Sequence, residues 1–466
     1  MSVAETDLAI LGGGPGGYIT ALRAAHQGLR VTVVEQAGLG GACLNTGCIP
    51  TKAMVASVAL LRQARAAAAM GIHVAADAAV LPAMIQRRRD VVAKLGQGVQ
   101  ALLQKNRVTV VKGRGRLQSS RVVEVQGAGA PTCLQAARAI IIATGSRPKE
   151  LPVAPRDGRV ILNSDDLLEL DTPPGELIIA GGGYIGCEFA SLFAGLGSRV
   201  SVIEMMDHLL PGLDRDLGLA LARSFRHAGI EVKLQQRITG TVVEGSRVRV
   251  TLADGHTLSG DRLLVAVGRT PNSGDLGLET AGVQLEHHAI RVDDHMETTA
   301  PGVYAIGDVT GQLALAHVAA AQGRVVVDNL LAGRHASRMD YHQVPAVVFT
   351  HPEIATVGLS EEEAKARSLS VRVARFPFAG IGKAVASGEA DGFVKLVACA
   401  DSGALLGGHI AGASAGELIG QLALALKLGA KARDLTDTIV AHPTLGEAVM
   451  EAAEGLFGQS THSVKR

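Results

Sequence analysis

The pattern of apolar and polar positions over the first 35 residues predicts a strand, a helix and a second strand. An apolar run at 8–11 is followed by a glycine cluster at 12–17, helically spaced apolar residues at 18–27 and another apolar run at 31–34. Short apolar runs bounded by glycine are typical of buried parallel strands, and a period near 3.6 is typical of a helix. The order is that of a βαβ unit, from which parallel sheets covered by helices are built.

The same pattern recurs further along the chain. An apolar run at 177–180 precedes a glycine cluster at 181–186, a helix through Leu196 and an apolar run at 200–203. In both copies the second run ends at an acidic residue, 23 positions after the first glycine (12 to 35 and 181 to 204). A repeat with equal internal spacing indicates two copies of one binding unit.

Both glycine clusters have the G-x-G-x-x-G spacing of a dinucleotide site. The first glycine permits a tight turn, the second lets the backbone approach a pyrophosphate, and the third lets helix and strand pack closely. The helix N-terminus offers N–H groups to the phosphates, and the acid accepts hydrogen bonds from a ribose. One such cluster also serves ordinary strand-to-helix turns, whereas two matched copies favour two bound dinucleotides. The residues are Gly12, Gly14, Gly17 and Glu35 in the first copy, and Gly181, Gly183, Gly186 and Glu204 in the second.

The size and charge of the chain restrict the kinds of partner that the protein can bind. The 466 residues suggest about three domains at roughly 150 residues each. The 45 Lys and Arg nearly balance 44 Asp and Glu, which removes the electrostatic case for a nucleic-acid or anionic-membrane partner. No run of 18 apolar residues occurs, and the start of the chain is acidic rather than basic. We therefore expect a cytoplasmic protein that binds neither nucleic acid nor membrane.

The five cysteines make an odd count, which does not suit a secreted disulfide framework. Only Cys43 and Cys48 are close in sequence. A helix is predicted to begin near Cys48, where its dipole favours a thiolate, and Lys52 follows on the same helical face. The pair is a redox site, two structural thiols or half a zinc site. No second Cys/His cluster has ligand spacing, so we predict no metal.

The segment GGACLNTGCIPTKA at 40–53 resembles the redox-active disulfide motif of the pyridine nucleotide–disulfide oxidoreductases. Within that family the chain is most similar to the dihydrolipoyl dehydrogenases, over nearly its whole length. The further matching motifs are ATGSRP at 143–148, GRTPN at 268–272, VYAIGD at 303–308, FTHPE at 349–353 and HPTLGE at 442–447. Together these motifs are specific, whereas each alone is not.

The resemblance implies an α/β fold with two Rossmann-like domains, which bind FAD and NAD(P), and a C-terminal α+β dimerisation domain. Its implied domains are a discontinuous FAD domain at 1–147 and 270–337, an NAD domain at 148–269 and a dimerisation domain at 338–466. We expect helical structure over 53–105. In the last domain we expect strands near 344–349, 371–376, 393–398 and 405–410, and helices at 416–428 and 445–455.

The resemblance also implies cofactor-binding residues. Asp308 would contact the ribityl chain of FAD, and Lys52, paired with Glu188, would lie by the reactive edge of the flavin. The second glycine cluster with Glu204 and Gly268 would hold NAD, and the Glu204 carboxylate would repel the 2′-phosphate of NADP. The remaining positions, where the family brings the chain near FAD, are Gly115, Thr144, Gly145 and Ala316.

The implied catalytic residues are Cys43 as the interchange thiol, Cys48 as the sulfur next to the flavin, His442 as the base and Glu447 as its orienting carboxylate. A thiolate is the effective nucleophile, so a base is required. In the family the His–Glu pair comes from the partner subunit, which implies a homodimer. The implied partner is a lipoyl-bearing protein of a 2-oxo acid dehydrogenase or glycine-cleavage complex.

Three other functions compete with this interpretation: a glutathione reductase, a mercuric reductase and a non-catalytic nucleotide-binding component. Glutathione reductases place basic residues after the second strand, where this chain has Glu204 and Asp207. Mercuric reductases carry a C-terminal cysteine pair, and no cysteine follows Cys399. The complete catalytic set argues against a non-catalytic component. The chain departs from the family pattern at Gly380–Lys383, Cys187 and Gly446.

Overall fold

The structure is a computed structural model that describes residues 3–74, 81–127, 132–333 and 335–462. Its first elements alternate strands and helices, as the sequence predicts. They are β1 (Val3–Leu11), α1 (Pro15–His26), β2 (Val31–Glu35), α2 (Gly41–Asn45), α3 (Cys48–Ala66), α4 (Leu81–Lys105), β3 (Thr109–Lys112), β4 (Arg114–Leu117), β5 (Val122–Gln126), β6 (Thr132–Ile142) and β7 (Ser146–Pro148).

The middle of the chain repeats the alternation and adds a group of antiparallel strands. Its elements are β8 (Ile161–Leu162), α5 (Ser164–Leu168), β9 (Glu176–Ala180), α6 (Tyr184–Leu196), β10 (Arg199–Ile203), α7 (Arg215–His227), β11 (Glu231–Lys233), β12 (Ile238–Glu244), β13 (Arg247–Leu252), β14 (Thr257–Gly260), β15 (Arg262–Val265) and β16 (Arg269–Pro271).

The remaining elements begin with short strands and end with helices. They are α8 (Leu278–Ala281), β17 (Leu285–Glu286), β18 (Ala289–Ile290), β19 (Val303–Ala305), α9 (Ala316–Ala332), β20 (Ala346–Val348), β21 (Glu353–Gly358), α10 (Glu361–Ala366), β22 (Val371–Pro377), α11 (Gly382–Ala386), β23 (Phe393–Cys399), β24 (Leu405–Gly412), α12 (Ala415–Lys427), α13 (Ala432–Asp437) and α14 (Glu447–Gly455).

The first sheet has the strand order β3-β2-β1-β6-β5-β4, and β19 also pairs with β6. Strands β1, β2, β3, β6 and β19 are parallel, and β5 and β4 are antiparallel additions. Helices α1 and α9 pack together, and a Cβ added at Gly323 would lie 1.7 Å from Thr20 Oγ1. This close packing joins residues near 20 and 323 in one unit, although 300 positions separate them.

The second sheet is parallel throughout, with the order β11-β10-β9-β15-β8. In both sheets the strand before the glycine cluster pairs in parallel with the strand that leads to the acid, as in Leu11 opposite Val34 and Ala180 opposite Ile203. The two predicted βαβ units are therefore present. Between them, β7 pairs with β16, so the chain enters and leaves the second unit through neighbouring strands.

The C-terminal sheet is antiparallel, with the order β20-β21-β24-β23-β22. It agrees with the four predicted strands but contains a fifth, β21, which the sequence interpretation treated only as part of a motif. The helix predicted at 445–455 begins at Glu447. The helical prediction over 53–105 divides into α3 and α4, and its residues 75–80 lie outside the described residues.

A buried ion cluster joins the second unit to the C-terminal sheet. Lys395 of β23 is 3% exposed, and its Nζ lies 3.0 Å from Asp214, 2.9 Å from Asp216 and 3.1 Å from Glu361. Asp214 is completely buried and caps α7. Since a buried charge is costly without partners, this cluster fixes α7 against β23.

One segment of the described residues, 41–70, is long and apolar enough by length and composition to cross a membrane, with a mean hydropathy of 1.2. It is not one helix, because it joins α2, α3 and a 3₁₀ turn. Met54 and Val58 pack in the core cluster that contains α6, and Lys52 interrupts the apolar sequence with an ion pair. The segment is thus two helices and a turn that are partly buried in the protein interior.

Candidate active site

The first glycine cluster forms a tight turn between β1 and α1. Gly12 has φ +105°, and a Cβ added there would lie 2.3 Å from the Ala143 carbonyl oxygen. A Cβ added at Gly17 would lie 1.9 Å from the Gly12 oxygen, so helix and strand meet only because this residue is glycine. Gly14 caps α1, and Pro15 occupies its first turn. The first N–H groups of a 12-residue helix are therefore exposed to the space in front of the turn.

The second cluster repeats this geometry. Gly181 has φ +106°, and an added Cβ would lie 2.4 Å from the Ala266 oxygen. A Cβ at Gly186 would lie 1.9 Å from the Gly181 oxygen, the same contact at the same distance as in the first cluster. Gly183 caps α6 and has open space on its Cβ side. Both turns leave room for a diphosphate at a helix N-terminus.

Backbone N–H groups fix the two acids in the same way. Glu35 accepts from the Gly13 N–H at 2.6 Å and the Ala37 N–H at 2.7 Å. Glu204 accepts from the Gly182 N–H at 2.7 Å and from the N–H two residues after itself at 2.8 Å. Each carboxylate oxygen keeps a free lone pair, so each acid can still accept from a ribose hydroxyl.

One cavity of about 2010 Å³ connects the two turns. It exceeds the roughly 300–1,000 Å³ of a pocket for one small ligand, as two dinucleotides would require. The predicted residues that line it are Gly12, Gly14, Glu35, Cys43, Cys48, Lys52, Thr144, Gly145, Gly181, Gly183, Glu188, Glu204, Gly268, Asp308 and Ala316. Gly17 and Gly186 lie behind the turns, and Gly115 lines a second cavity of about 540 Å³ beside Glu35.

A polar network holds the residues at the centre of the large cavity. Asp308 accepts from the Ser146 hydroxyl, and Ser146 accepts from Arg269 Nε at 2.6 Å. The Thr144 hydroxyl donates to the Asn272 carbonyl at 2.8 Å, and the Asn272 amide donates to the Thr144 carbonyl at 3.0 Å. These bonds connect segments more than 120 positions apart. They hold the backbone around Gly145 and Asp308 in place before any ligand binds.

The two cysteines lie on consecutive helices. Cys43 belongs to α2, and Cys48 is the first residue of α3, so its sulfur is at a helix N-terminus. Both are free thiols here, the reduced form of the disulfide that the resemblance implies. A hydrogen bond from Cys43 is the main cause that lowers the pKa of Cys48 to about 7, and Lys52 adds to it while burial opposes it. The same hydrogen bond raises the pKa of Cys43.

Lys52 forms a bidentate ion pair behind the cysteines. Its Nζ lies 2.8 Å from both carboxylate oxygens of Glu188, which is 8% exposed. Glu188 also accepts from the Phe349 N–H at 3.0 Å, and Lys52 Nζ lies 4.6 Å from the centre of the Phe349 ring. The ammonium group is therefore held in the cavity wall one helical turn from Cys48.

The His–Glu pair lies elsewhere on the chain. His442 Nδ1 is 2.7 Å from Glu447 Oε1, and the Thr444 N–H donates to the other carboxylate oxygen at 2.9 Å. The hydrogen bond from His442 is the first cause that lowers the pKa of Glu447. His442 is 77% exposed, and neither residue lines the cavity that contains Cys43. Glu447 is the first residue of α14, so this helix begins two residues after the predicted start at 445.

Comparison with known proteins identifies the family. Residues 6–323 match the model of the pyridine nucleotide-disulphide oxidoreductases, and residues 344–453 match the dimerisation domain of that family. The chain belongs to this family. The dihydrolipoyl dehydrogenase of Chlamydia pneumoniae is 41% identical over 96% of both chains, and that of Geobacillus stearothermophilus is 40% identical over 99% of this chain and 98% of its own.

Solved structures of the family have the same fold. LpdA from Mycobacterium tuberculosis is 35% identical, with a TM-score of 0.90 over 98% of this chain and 100% of its own. RclA from Escherichia coli, an HOCl-induced flavoprotein disulfide reductase solved as a Cu(II) complex, is 29% identical, with a TM-score of 0.86 over 97% and 99%. These matches confirm the predicted fold class and an enzyme of the flavoprotein disulfide oxidoreductase type that uses FAD and NAD. The dimerisation domain supports the predicted homodimer.

The residues around the site fit FAD and NAD on structural grounds. Each turn has a glycine, Gly12 or Gly181, whose Cβ would collide with a neighbouring backbone carbonyl, and each has a helix N-terminus and a fixed carboxylate. The sequence interpretation did not predict the site contacts of three residues: Ser146, Arg269 and the backbone of Phe349. All three lie within the quoted motifs, but their partners are distant in sequence, so the motifs alone gave no sign of these contacts. Among the described residues, no group of three or more His, Cys, Asp or Glu side chains is placed to hold a metal.

Proposed function

We propose that the protein oxidises dihydrolipoyl groups to lipoyl groups with NAD⁺ as the acceptor. The observation that carries this proposal is the position of the Cys43–Cys48 pair, with the pKa of Cys48 at about 7, in one cavity with both nucleotide-binding turns. Bound FAD would supply the two-electron link between the dithiol and the nicotinamide. The residues that would hold FAD surround the first turn, and those that would hold NAD surround the second.

The thiol chemistry starts from the oxidised pair. A substrate thiolate attacks Cys43 Sγ, forming a mixed disulfide, and the Cys43–Cys48 bond breaks so that Cys48 leaves as a thiolate. The second substrate thiol, as its thiolate, attacks the substrate sulfur of the mixed disulfide, which gives the cyclic lipoyl disulfide and releases Cys43. Two electrons thus pass from the substrate to the cysteine pair. The helix N-terminus and Lys52 stabilise the Cys48 thiolate as it leaves.

A base must accept the protons of the substrate thiols, and we assign this role to His442. Its Nδ1 faces Glu447, so the carboxylate favours the tautomer with the proton on Nδ1 and leaves Nε2 free to accept one. His442 is highly exposed and does not line the cavity of its own chain. This arrangement supports a base that acts on substrate thiols bound at the cysteine pair of the partner subunit, as the family resemblance implies.

We propose that NAD is preferred over NADP. Glu204 is fixed at the end of β10, and its negative charge would oppose a 2′-phosphate. Positions 205–208 supply no Lys or Arg, although Arg237 also lines the cavity. The ratio of kcat/KM for the two nucleotides tests the assignment directly, and a preference for NADP would contradict it.

We also propose the domain limits 1–147 with 270–337, 148–269 and 338–466. The pairing of β7 with β16 supports them, because these strands lie at both crossings between the first two domains. The separate antiparallel sheet supports the third domain. A lipoyl-bearing protein of a 2-oxo acid dehydrogenase or glycine-cleavage complex as partner, and a cytoplasmic location, complete the proposal.

The decisive experiment compares two reactions of the purified holoenzyme: oxidation of dihydrolipoamide by NAD⁺ and reduction of glutathione disulfide by NADPH. We expect the first reaction to dominate and to disappear in Cys48→Ser. Cys399→Ser is the matched control and should retain full activity, because Cys399 lies on β23 away from the cavity. Dominant glutathione reduction, or full activity of Cys48→Ser, would overturn the proposal.

A further inference from the structure

The C-terminal tail, of which the structure describes residues 456–462, folds back onto α14, the helix that carries Glu447. Ser460 Oγ donates to Glu451 Oε2 at 2.7 Å, and His462 Nδ1 lies 2.5 Å from Glu451 Oε1. The His462 N–H also approaches this carboxylate, at 3.4 Å. Glu451 is 2% exposed, whereas the His462 side chain is 66% exposed. A buried carboxylate on α14 is thus closed off by an imidazole from the tail.

The His462–Glu451 pair lies next to the proposed base, His442. Glu451 follows Glu447 by four positions on α14, so the two carboxylates neighbour each other on one face of the helix. Like charges at this spacing repel, and a cation beside them relieves the repulsion. His462 supplies that cation for Glu451, while His442 pairs with Glu447 at 2.7 Å. Two histidine–carboxylate pairs therefore stand side by side on one helix.

We propose that His462 is a positioning residue for the thiol chemistry: by pairing with Glu451, it sets the charge around the Glu447–His442 pair. This inference rests on the proposed role of His442 as the base. An imidazolium at position 462 opposes a second positive charge on His442 and so keeps His442 able to accept a proton near neutral pH. His462 touches neither substrate nor cofactor in this scheme and acts through Glu451 and Glu447.

The charges around the two pairs agree with this direction. The hydrogen bond to Glu451 is the first cause that raises the pKa of His462, which favours its charged form, and Glu447 and Glu454 add to it. In return, the charge of His462 contributes to the lowered pKa of Glu447. His462 is therefore coupled to Glu447 by charge, through the space beside Glu451.

The other elements packed against α14 also carry charged groups. On α13, Asp434 accepts from the Lys431 N–H and Asp437 from the Thr436 hydroxyl, and on β22, Arg375 pairs with Asp216. On α13, Arg433 lies 4.4 Å from the Phe457 ring centre and donates to Gln459, also in the tail. On β22, Arg372 shares a face with Ala374, which meets Gly455 of α14. On β23, Lys395 is occupied by its own carboxylates. Among the described residues, His462 bonds directly to Glu451 and His442 bonds directly to Glu447.

The test uses the dimeric holoenzyme and three variants. His462→Gln keeps a polar side chain but removes the cation, and His462→Lys restores a cation beside Glu451. His256→Gln is the matched control, since His256 forms an exposed pair with Asp254 in the middle of the chain. Two quantities are measured: the acid limb of the kcat/KM profile for dihydrolipoamide, which reports the thiol chemistry, and the melting temperature, which reports stability.

In His462→Gln we expect the acid limb to move to higher pH by about 0.3–0.7 pH units, the size expected for charges coupled at a solvent-exposed surface. His462→Lys should restore the wild-type values, and His256→Gln should leave them unchanged. An unchanged acid limb in His462→Gln, even with a lower melting temperature, would show that the tail acts only structurally and would overturn the inference. A wild-type enzyme with no dihydrolipoamide activity would instead overturn the proposed function.

Discussion

The hydrogen bond between the two thiols is a feature that a pair of substitutions can isolate. Cys43→Ala removes the donor, whereas Cys43→Ser replaces the thiol by a hydroxyl that can still donate. Both variants leave Cys48 as the single sulfur of the pair. Since the Cys43 hydrogen bond is the largest influence that lowers the pKa of Cys48, the two variants should separate clearly.

The size of the effect follows from the pKa of Cys48, which the surroundings lower from 9.0 to about 7. A hydrogen bond to a charged group contributes about 1.5 kcal/mol, or about one pKa unit. We therefore expect a pKa of about 8 in Cys43→Ala, which would reduce the thiolate fraction at pH 7 from about one half to about one tenth. In Cys43→Ser the pKa should stay within about 0.3 units of 7.

The pKa is measured from the pH dependence of iodoacetamide alkylation at Cys48, with the modified peptide quantified by mass spectrometry. Peptide-level detection separates Cys48 from Cys133, Cys187 and Cys399, the other cysteines of the chain. The long-wavelength thiolate–flavin absorbance, followed over the same pH range, provides a second reading. If both variants titrate together near 7, the helix N-terminus and Lys52 set the pKa, and the reasoning from the thiol hydrogen bond is wrong.

Three further predictions test other parts of the site and fold. His442→Gln should lower dihydrolipoamide oxidation by about 10²–10⁴-fold while NADH oxidation by ferricyanide persists, and equal loss of both would contradict its role as a base. Glu204→Gln should raise the KM for NAD⁺ by about tenfold or more, measured in steady-state kinetics; an unchanged KM would remove Glu204 from the nucleotide site. Lys395→Met should cost about 3–5 kcal/mol of unfolding free energy in urea because it leaves Asp214 buried without its cation, and a loss under about 1 kcal/mol would contradict this account.

The Lys395 cluster also fixes the sign of the acid dependence. Burial of Asp216 raises its pKa, but the hydrogen bond and the charge of Lys395 outweigh burial, so the pKa of Asp216 lies below its usual 3.8. A carboxyl group with a lowered folded-state pKa stabilises the protein above its unfolded pKa, and this stabilisation is lost as the pH falls through the folded value. Wild type should therefore lose stability more steeply than Lys395→Met below about pH 4.

The sequence predicted the parts of the fold that local chemistry determines. The two βαβ units were predictable because the glycine contacts within each turn involve residues five positions apart, as in Gly12 with Gly17. The start of α3 at Cys48 agrees with the predicted helix start, which Pro50 and the Ala-rich stretch after it indicate. Each of these features depends on neighbours in the chain, which a pattern of residues records directly.

The rest depends on contacts between distant segments. Strand β21 begins at the last residue of the motif at 349–353, and its pairing with β20 and β24 was not visible in the pattern. Asp214 and Lys395 meet although 181 positions separate them. The bond from the Phe349 backbone to Glu188 likewise comes from the packing of a loop onto α6. Such contacts become predictable only once the sheet order is known.

The backbone bonds that hold Glu204 have a consequence for protein engineering. Its two oxygens accept hydrogen bonds from the N–H groups of Gly182 and Met206. The carboxylate therefore stabilises the turn as well as facing the ribose. Replacing it by a small or basic residue to change coenzyme selectivity would release both N–H groups and loosen the phosphate-facing turn. A successful redesign must therefore replace residues 204–208 together, so that a new side chain stabilises the turn and also binds the ribose.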